Sequence, residues 1–518
     1  MKNIKCIFII MFVSLSVVSC NEFLDETPDN RAEIDSPAKI RKLLVSAYPE
    51  GTPAFSAELS SDNVMDNGEN NPNTTRFYDQ IAMWEDVTEV EDDDLKTVWE
   101  KAYSAISSSN AALATIKELG EEGLEAEKGE ALITRAYSHF VLVNMFCRHY
   151  NAGTSNSDLG IPYMEASETT LNPKYERGSV ADVYKKINAD VEAALPLISD
   201  DLYEVPLYHF TRDAAYAFAA RLNLYMGNWE KAEEYANKVL GNDPSSKIRD
   251  WTVLASLPQN PDVAKTYVKE SADLLALTST SNMGVYFGAY YLGARFTHSA
   301  QVANETLKAP MPWARSGLIY EYYVFGPFVY RATNLDKTLF YKIPYFFEMT
   351  DKVAGIGYRK TVCIPFTTDE TLMVRAEALI MQKKYDDALA DIGMWTEKFF
   401  RVQTATTIAD VDGLYNSLNY ETADKASSKK KLNPAFPIEI GTQENMIHYV
   451  LQCRRILTLH EGLRWFDIKR YGIEVYRRQT QVGGGSTIVT ETLGVNDPRR
   501  ALQIPPDAVS AGITPNPR

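Results

Sequence analysis

Apolar residues recur every three or four positions over long stretches of the chain, the spacing that lines up side chains on one side of an α-helix. Val98, Ala102, Ile106, Ser109, Leu113 and Ile116 mark one such face, and Leu132, Ala136, Phe140 and Val143 mark a second. The segment around the second is apolar on most sides, which predicts a buried helix. A short helix is expected over residues 37–48, and Ser179 with Asp182 supplies a side-chain cap and a first-turn acid for another.

The sharpest pattern begins at Asp213. Ala215, Phe218, Leu222 and Met226 form one stripe, Gly227 and Asn228 interrupt it, and Trp229, Ala232, Ala236 and Val239 form the next, closed by Pro244. Gly227, Trp229, Ala232 and Pro244 stand at the relative spacings of the turn glycine, aromatic, alanine and terminal proline of a tetratricopeptide repeat. A weaker copy has Leu372, Ala376, Leu379 and Ile380, a short turn, then Tyr385, Ala388, Leu389 and Ile392. Each hairpin leaves an apolar face that only a neighbouring hairpin can cover, so the repeats predict a stacked helical scaffold. The expected fold class is mainly α, a tetratricopeptide-like helical repeat scaffold carrying a long, loop-rich, aromatic-rich insertion.

That insertion, residues 245–366, is too long for a connection within a repeat array, and long excursions from a rigid scaffold tend to carry function. Residues 285–347 hold 17 aromatics in 63 positions, against 11% aromatic for the whole chain. Tyr286, Tyr290, Tyr291, Trp313, Tyr320, Tyr322 and Tyr323 are candidate platforms for the C–H faces of sugar rings or for apolar peptide side chains. Trp84, which follows a polar stretch rich in Asn, Asp and Gly at 60–75, is a further candidate. That stretch offers carboxylates and amides, but from Asp62 the calcium-loop register puts Val64 and Asn67 where a ligand and the glycine belong. It reads as a surface loop with no metal expected. The bland alternative for the aromatics is that most of them pack the insertion onto the helices.

The N-terminus changes where all of this would operate. Lys2 and Lys5 precede an apolar run from Cys6 to Val18, too short to span a bilayer and typical of a secretory leader. Val17, Val18 and Ser19 before Cys20 suit a lipoprotein cleavage site, so Cys20 is the expected lipid anchor. Burying acyl methylenes at roughly 0.8 kcal/mol each would hold a soluble body on a membrane surface. The expected organisation is a leader (1–19), an anchor and tether (20–36), an N-terminal helical region (37–244), the insertion (245–366) as candidate ligand face, and a C-terminal helical region with a closing tail (367–518).

The net charge of −16 disfavours nucleic acid and anionic lipid as partners, and losing Lys2 and Lys5 with the leader makes it −18. With Cys6 removed and Cys20 acylated, Cys147, Cys363 and Cys453 remain, far apart and in apolar surroundings. They are expected to be small core residues, with one disulfide among them still open. No HExxH, GxSxG or phosphate-cradling loop is present, and Gly483 to Ser486 reads as a flexible turn. No catalytic residue and no cofactor is expected, although paired carboxylates could still meet in three dimensions.

His460 to Gly472, reading HEGLRWFDIKRYG, closely resembles the C-terminal signature of the SusD/RagB family of outer-membrane nutrient-binding lipoproteins. Other segments agree in the family's order: CNEFLDETP at Cys20, EKGEALITRAYSHFVLVNMF from Glu127, GIPY at Gly160, RGSVADVYKKINADVEAAL from Arg177, TRDAAYAFAARLNLYMGNWEKAEEYA from Thr211 and DETLMVRAEALIM from Asp369. The insertion matches no motif of the family, and the ending from Gln503 follows its proline-rich close only loosely. Within HEGLRWFDIKRYG, Arg464 and Asp467, or Asp467 and Tyr471, are one helical turn apart and can satisfy each other, while Leu463 and Phe466 pack.

The resemblance implies a helical core facing a SusC-like TonB-dependent transporter, with opposite loops capturing a glycan or a peptide. It also implies a cell-surface position at the outer membrane, with Glu22, Asp25 and Glu26 as the export signal. A helical-repeat scaffold that binds only proteins is the alternative.

Overall fold

The computed structural model describes residues 34–68, 71, 73–168, 173–258, 262–288, 294–313, 329–332, 337–400, 404–481 and 486–518. Cys20 with its leader, Tyr290, Tyr291, Tyr320, Tyr322, Tyr323 and most of the glycine turn at 483–486 lie outside them.

Helices dominate, and their limits follow local chemistry. After α1 (Pro37–Leu44) and α2 (Ala54–Ser60) come α3 (Arg76–Ala82), α4 (Leu95–Leu119) and α5 (Glu125–Phe146). The Asp94 side chain caps α4, and α5 is buried along nearly its whole length, as its all-round apolar sequence requires. The Ser179 hydroxyl caps α6 (Val180–Ala194) by accepting from the Asp182 N–H.

The sharp repeat is the hairpin α7 (Arg212–Met226) and α8 (Trp229–Leu240), with Gly227 at φ +79°, a left-handed cap that favours glycine. The second copy is α9 (Thr368–Met381) and α10 (Tyr385–Phe399). Although the insertion separates the copies in sequence, α9 packs directly on α8. Arg375 donates to Asn237 at 2.8 Å, and Gln382 and Lys384 reach Glu233 at 2.7 and 2.8 Å. The repeats therefore stack as if contiguous, and the insertion loops out from the seam. α11 (Ile408–Ser417), α12 (Thr442–Leu457) and α13 (Leu463–Arg470) complete the array.

Strands occupy part of the insertion and the C-terminal region, with one short strand in the polar stretch after α2. β1 (Met65–Asp66), β3 (Phe296–Thr297), β8 (Val475–Thr480) and β9 (Thr487–Leu493) form one sheet in the order β3-β1-β8-β9, with β1 and β8 parallel and the other pairs antiparallel. β2 (Asp273–Thr280), β7 (Ile356–Thr367) and β6 (Phe346–Asp351) form a second, antiparallel sheet with β7 central. β4 (Val329–Ala332) and β5 (Lys337–Phe340) make a separate hairpin.

At the centre lies a balanced set of buried charges. Arg454 on α12 donates to Glu377 at 3.0 Å and Glu370 at 2.9 Å, both on α9, and lies 3.5 Å from Asp467 on α13. Arg470 also pairs with Glu377 and reaches Asp467 at 3.2 Å, the Tyr471 hydroxyl donates to Glu377 at 2.6 Å, and Arg221 on α7 pairs with Glu370 at 2.9 Å. Burial alone would raise the Glu377 carboxyl, yet Arg470 and Arg454 hold it below its ordinary range.

The signature HEGLRWFDIKRYG is thus structural, but its pairing is long-range. Arg464 turns away from Asp467 and forks onto Asp62 at 2.8 and 2.9 Å, and Tyr471 bonds Glu377 instead of Asp467. Gly462, at φ +76°, lies so close to α2 that an added Cβ would sit 2.7 Å from the Ala54 backbone. The preceding turn gives its His460 and Gly462 N–H groups to Glu58 at 2.8 and 3.2 Å.

The other signatures weld in the same way. Arg135 forks onto Asp190 at 2.7 Å through both nitrogens, and Tyr163 of GIPY donates to the same carboxylate at 2.6 Å. Arg177 donates to Gly160 O at 2.6 Å and to Thr514 O and Asn516 Oδ1 at 2.8 Å each. Cys147, Cys363 and Cys453 are free thiols, with Cys147 and Cys453 fully in the core and burial pushing Cys147 up to about 11.

Two stability measurements follow. Glu377→Ala leaves Arg454 and Arg470 short of a buried partner and should cost about 3–5 kcal/mol in denaturant unfolding. Burial raises the Glu58 carboxyl from 4.5 to about 7, so the folded protein holds a proton that the unfolded chain releases over that window. Its contribution is therefore full below pH 4.5 and declines as pH rises towards 7. Glu58→Gln should flatten that stretch of the stability–pH curve relative to the parent protein.

Candidate ligand-binding cleft

The β3-β1-β8-β9 sheet brings together three regions distant in sequence: the polar stretch after α2, the insertion and the C-terminal hairpin. Arg295 fixes the junction by forking onto Asp66 at 2.9 Å through two nitrogens, and Gln479 donates to the same carboxylate at 2.8 Å. Asp66 also accepts the Gly68 N–H at 2.7 Å. The polar stretch thus spends its best carboxylate on protein donors. Among the described residues, no group of three or more His, Cys, Asp or Glu is arranged to hold a metal ion.

β3 leads into a short helix, Ala300–Glu305, capped by the Ser299 hydroxyl. Gln452 on α12 pins its end by donating to Glu305 O and Thr306 O at 3.1 and 3.2 Å. Opposite runs the segment 417–428, which follows α11. Between them lies an open cleft of about 790 Å³, within the ~300–1,000 Å³ usual for ligand sites. Gln301, Asn304, Lys308, Asn419, Tyr420 and Lys425 line it, together with the hydroxyls of Ser417, Ser427 and Ser428.

Glu305 at the back of the cleft is neutralised. Lys430 pairs with it at 2.6 Å and with Glu421 at 2.7 Å. Burial would lower the Lys430 ammonium, but Glu305, Glu421 and Asp62 hold it above its ordinary range. Arg455 and Arg464, acting against burial, hold Asp62 far below the usual carboxylate range. The wall behind the cleft is therefore a locked ion network.

Tyr420 gives the cleft an aromatic surface, 38% exposed. Its hydroxyl donates to Glu444 at 2.6 Å, and the Lys429 ammonium sits 4.3 Å from the ring centroid, so the ring is held from two sides. An immobilised, partly exposed ring amid amides and hydroxyls can stack on a sugar face while its neighbours bond the sugar hydroxyls.

Two aromatics expected as ligand platforms are in the core. Trp84 is 1% exposed, its indole N–H donates to Ser60 O at 2.8 Å, and the Arg477 guanidinium covers its ring at 4.8 Å. Tyr286 is 3% exposed, donates to Phe296 O at 2.6 Å and packs against Phe55 and Tyr78. Neither ring has a face to offer. Trp313 is half-buried against Phe400, three residues beyond Pro310 on the cleft wall. Tyr420 and Asn304 were not anticipated, since a lone tyrosine in a polar stretch carries no periodic signal.

A separate space bounded by Tyr137, Phe140, Tyr267, Ile343 and Phe466 amounts to about 70 Å³. It has room for a few waters but not for a sugar ring. No helix among the described residues is long and apolar enough to cross a membrane.

Residues 22–224 match a SusD-like family described as starch-binding and associating with the outer membrane. SusD-like protein P38 of Formosa agariphila is 21% identical over 511 residues, covering 90% of this chain and 91% of that protein. SusD-like protein P2 of the same organism is 22% identical, covering 73% of this chain and 72% of the relative. Among solved structures, a putative sugar binding protein from Bacteroides vulgatus aligns with a TM-score of 0.65 and 16% identity, covering 94% of this chain and 99% of that one. A SusD superfamily protein from Bacteroides thetaiotaomicron aligns with a TM-score of 0.64 and 15% identity, covering 92% and 98%.

Removing a ring from the core should read out as stability. Trp84→Ala should lower unfolding free energy by about 3–5 kcal/mol, the cost of a large buried truncation, seen as an earlier denaturant midpoint.

Proposed function

The chain is a SusD-like family protein, and on that premise we propose that it is a non-catalytic, lipid-anchored capture protein of the outer membrane. It binds a carbohydrate outside the cell and passes it to a SusC-like TonB-dependent transporter. Cys20 is the tether, the helical array is the rigid body that meets the transporter, and the ligand is held on the face built by the insertion and the segment after α11.

The cleft beside Ala300–Glu305 carries this reading. Its size suits an oligosaccharide, its lining supplies amides and hydroxyls, and Tyr420 supplies a stacking surface. An open, polar, wet site of this kind releases its ligand readily, as transfer to a transporter requires. Trp313, Tyr290, Tyr291, Tyr320, Tyr322 and Tyr323 are proposed to extend the surface along the insertion.

The test is retardation of the full-length protein, in mild detergent, in native gels containing a panel of soluble polysaccharides. Asn304→Ala should weaken retardation several-fold with the unfolding midpoint unchanged, since that side chain is exposed. Tyr420→Ala should weaken it several-fold with no more than the small midpoint loss of one bond to Glu444 and one contact with Lys429. No retardation by any polymer would sink the carbohydrate reading and favour a peptide ligand.

A further inference from the structure

The charge of the cleft is opposite to that of the protein. The chain as a whole carries −16, yet the ionisable side chains lining the cleft are Lys308, Lys425 and Glu305. Glu305 is spent on Lys430 at 2.6 Å, and no ion pair joins either cleft lysine to a carboxylate among the described residues. Lys430 reaches the back wall, and Lys429 stands behind the Tyr420 ring. Around the cleft, Glu421 is committed to Lys430 and Arg478 and Glu444 to the Tyr420 hydroxyl, while Asp424, next to Lys425 in the chain, is exposed and does not line the cleft. The half-buried Lys308 and the exposed Lys425 therefore line, without an ion pair among the described residues, a space otherwise walled mainly by neutral amides and hydroxyls.

A neutral glycan needs only those amides, hydroxyls and the ring. To it the ammoniums would offer only ordinary hydrogen bonds to hydroxyls, whereas a carboxylate or sulfate on the sugar would gain a stronger, charge-assisted bond from each. On an acidic protein a local positive site also concentrates its ligand against a repelling background, which makes the selection strict. Resting on the carbohydrate reading above, we propose that the cleft selects anionic polysaccharides, with Lys308 and Lys425 as the residues that read the charge.

The experiment compares polymers that share a backbone and differ in charge: dextran with dextran sulfate, and methyl-esterified with free polygalacturonate. Affinity electrophoresis of the full-length protein should show at least tenfold stronger retardation by the charged member of one pair. Lys308→Gln with Lys425→Gln should erase that preference while Tyr420→Ala weakens binding of both members. The preference should also fall steeply as salt is raised.

Equal retardation by charged and neutral members, unaffected by the lysine changes, overturns the charge selection and leaves the carbohydrate reading standing. A preference that survives the double lysine change overturns the assignment to this cleft. No retardation by any of the four polymers or by the wider panel overturns both.

Discussion

Everything in this fold depends on the buried set of Arg221, Arg454, Arg470, Glu370, Glu377 and Asp467. Taking such groups out of water costs several kcal/mol per ion, and the loss is offset only when every partner is in place. The six come from α7, α9, α12 and α13, so the charges are satisfied together only when those four helices meet in one arrangement. Apolar packing alone would accept neighbouring registers at modest cost, because helical faces of alanine and leucine are forgiving. An arginine fork onto a named carboxylate is not. The cluster thus holds the two repeat copies together across the excursion of the insertion.

The same device sets the position of the cleft at a distance. Arg464 runs from α13, next in the chain to the central cluster, out to Asp62, and Asp62 neighbours Lys430, which neutralises Glu305 at the cleft wall. Arg477 on β8 donates to Leu59 O, Ser61 O, Val64 O and Ala82 O, binding the turn after α2 to the C-terminal hairpin. A chain of buried cations leads from the repeat core to the sheet that supports the ligand face. Rigid walls of this kind leave little rearrangement to be made on binding.

The helical scaffold was legible because its signal is local: three- and four-residue spacing, a capping serine, a glycine at a left-handed turn. Pairing partners were less so. Arg464 and Asp467 stand one turn apart and look like a pair, but Arg464 forks onto Asp62 some 400 residues away, while Asp467 takes Arg470 on its own helix and lies beside Arg454 on another; spacing along a helix does not choose among these. The aromatic enrichment of the insertion was real, and its cause was mixed. Tyr286, Phe287, Phe296, Phe340 and Tyr341 fill core, while Phe347 and Tyr358 lie exposed on the ribbon of β6 and β7. Composition measures how many rings there are and is blind to which side each one faces.

The cleft escaped sequence reading for a related reason. Its residues are split between a short helix near 300 and a segment near 420, and each half alone is an ordinary polar surface. Only the pinning of Glu305 and Thr306 by Gln452, and the locking of Glu305 by Lys430, turns two polar surfaces into opposing walls. The buried ion network thus serves two ends with one set of contacts. By consuming Glu305 it takes the one carboxylate of the cleft lining out of competition for Lys308 and Lys425, and it fixes the walls on which both lysines stand. Scaffold electrostatics and ligand selection are coupled through that single carboxylate.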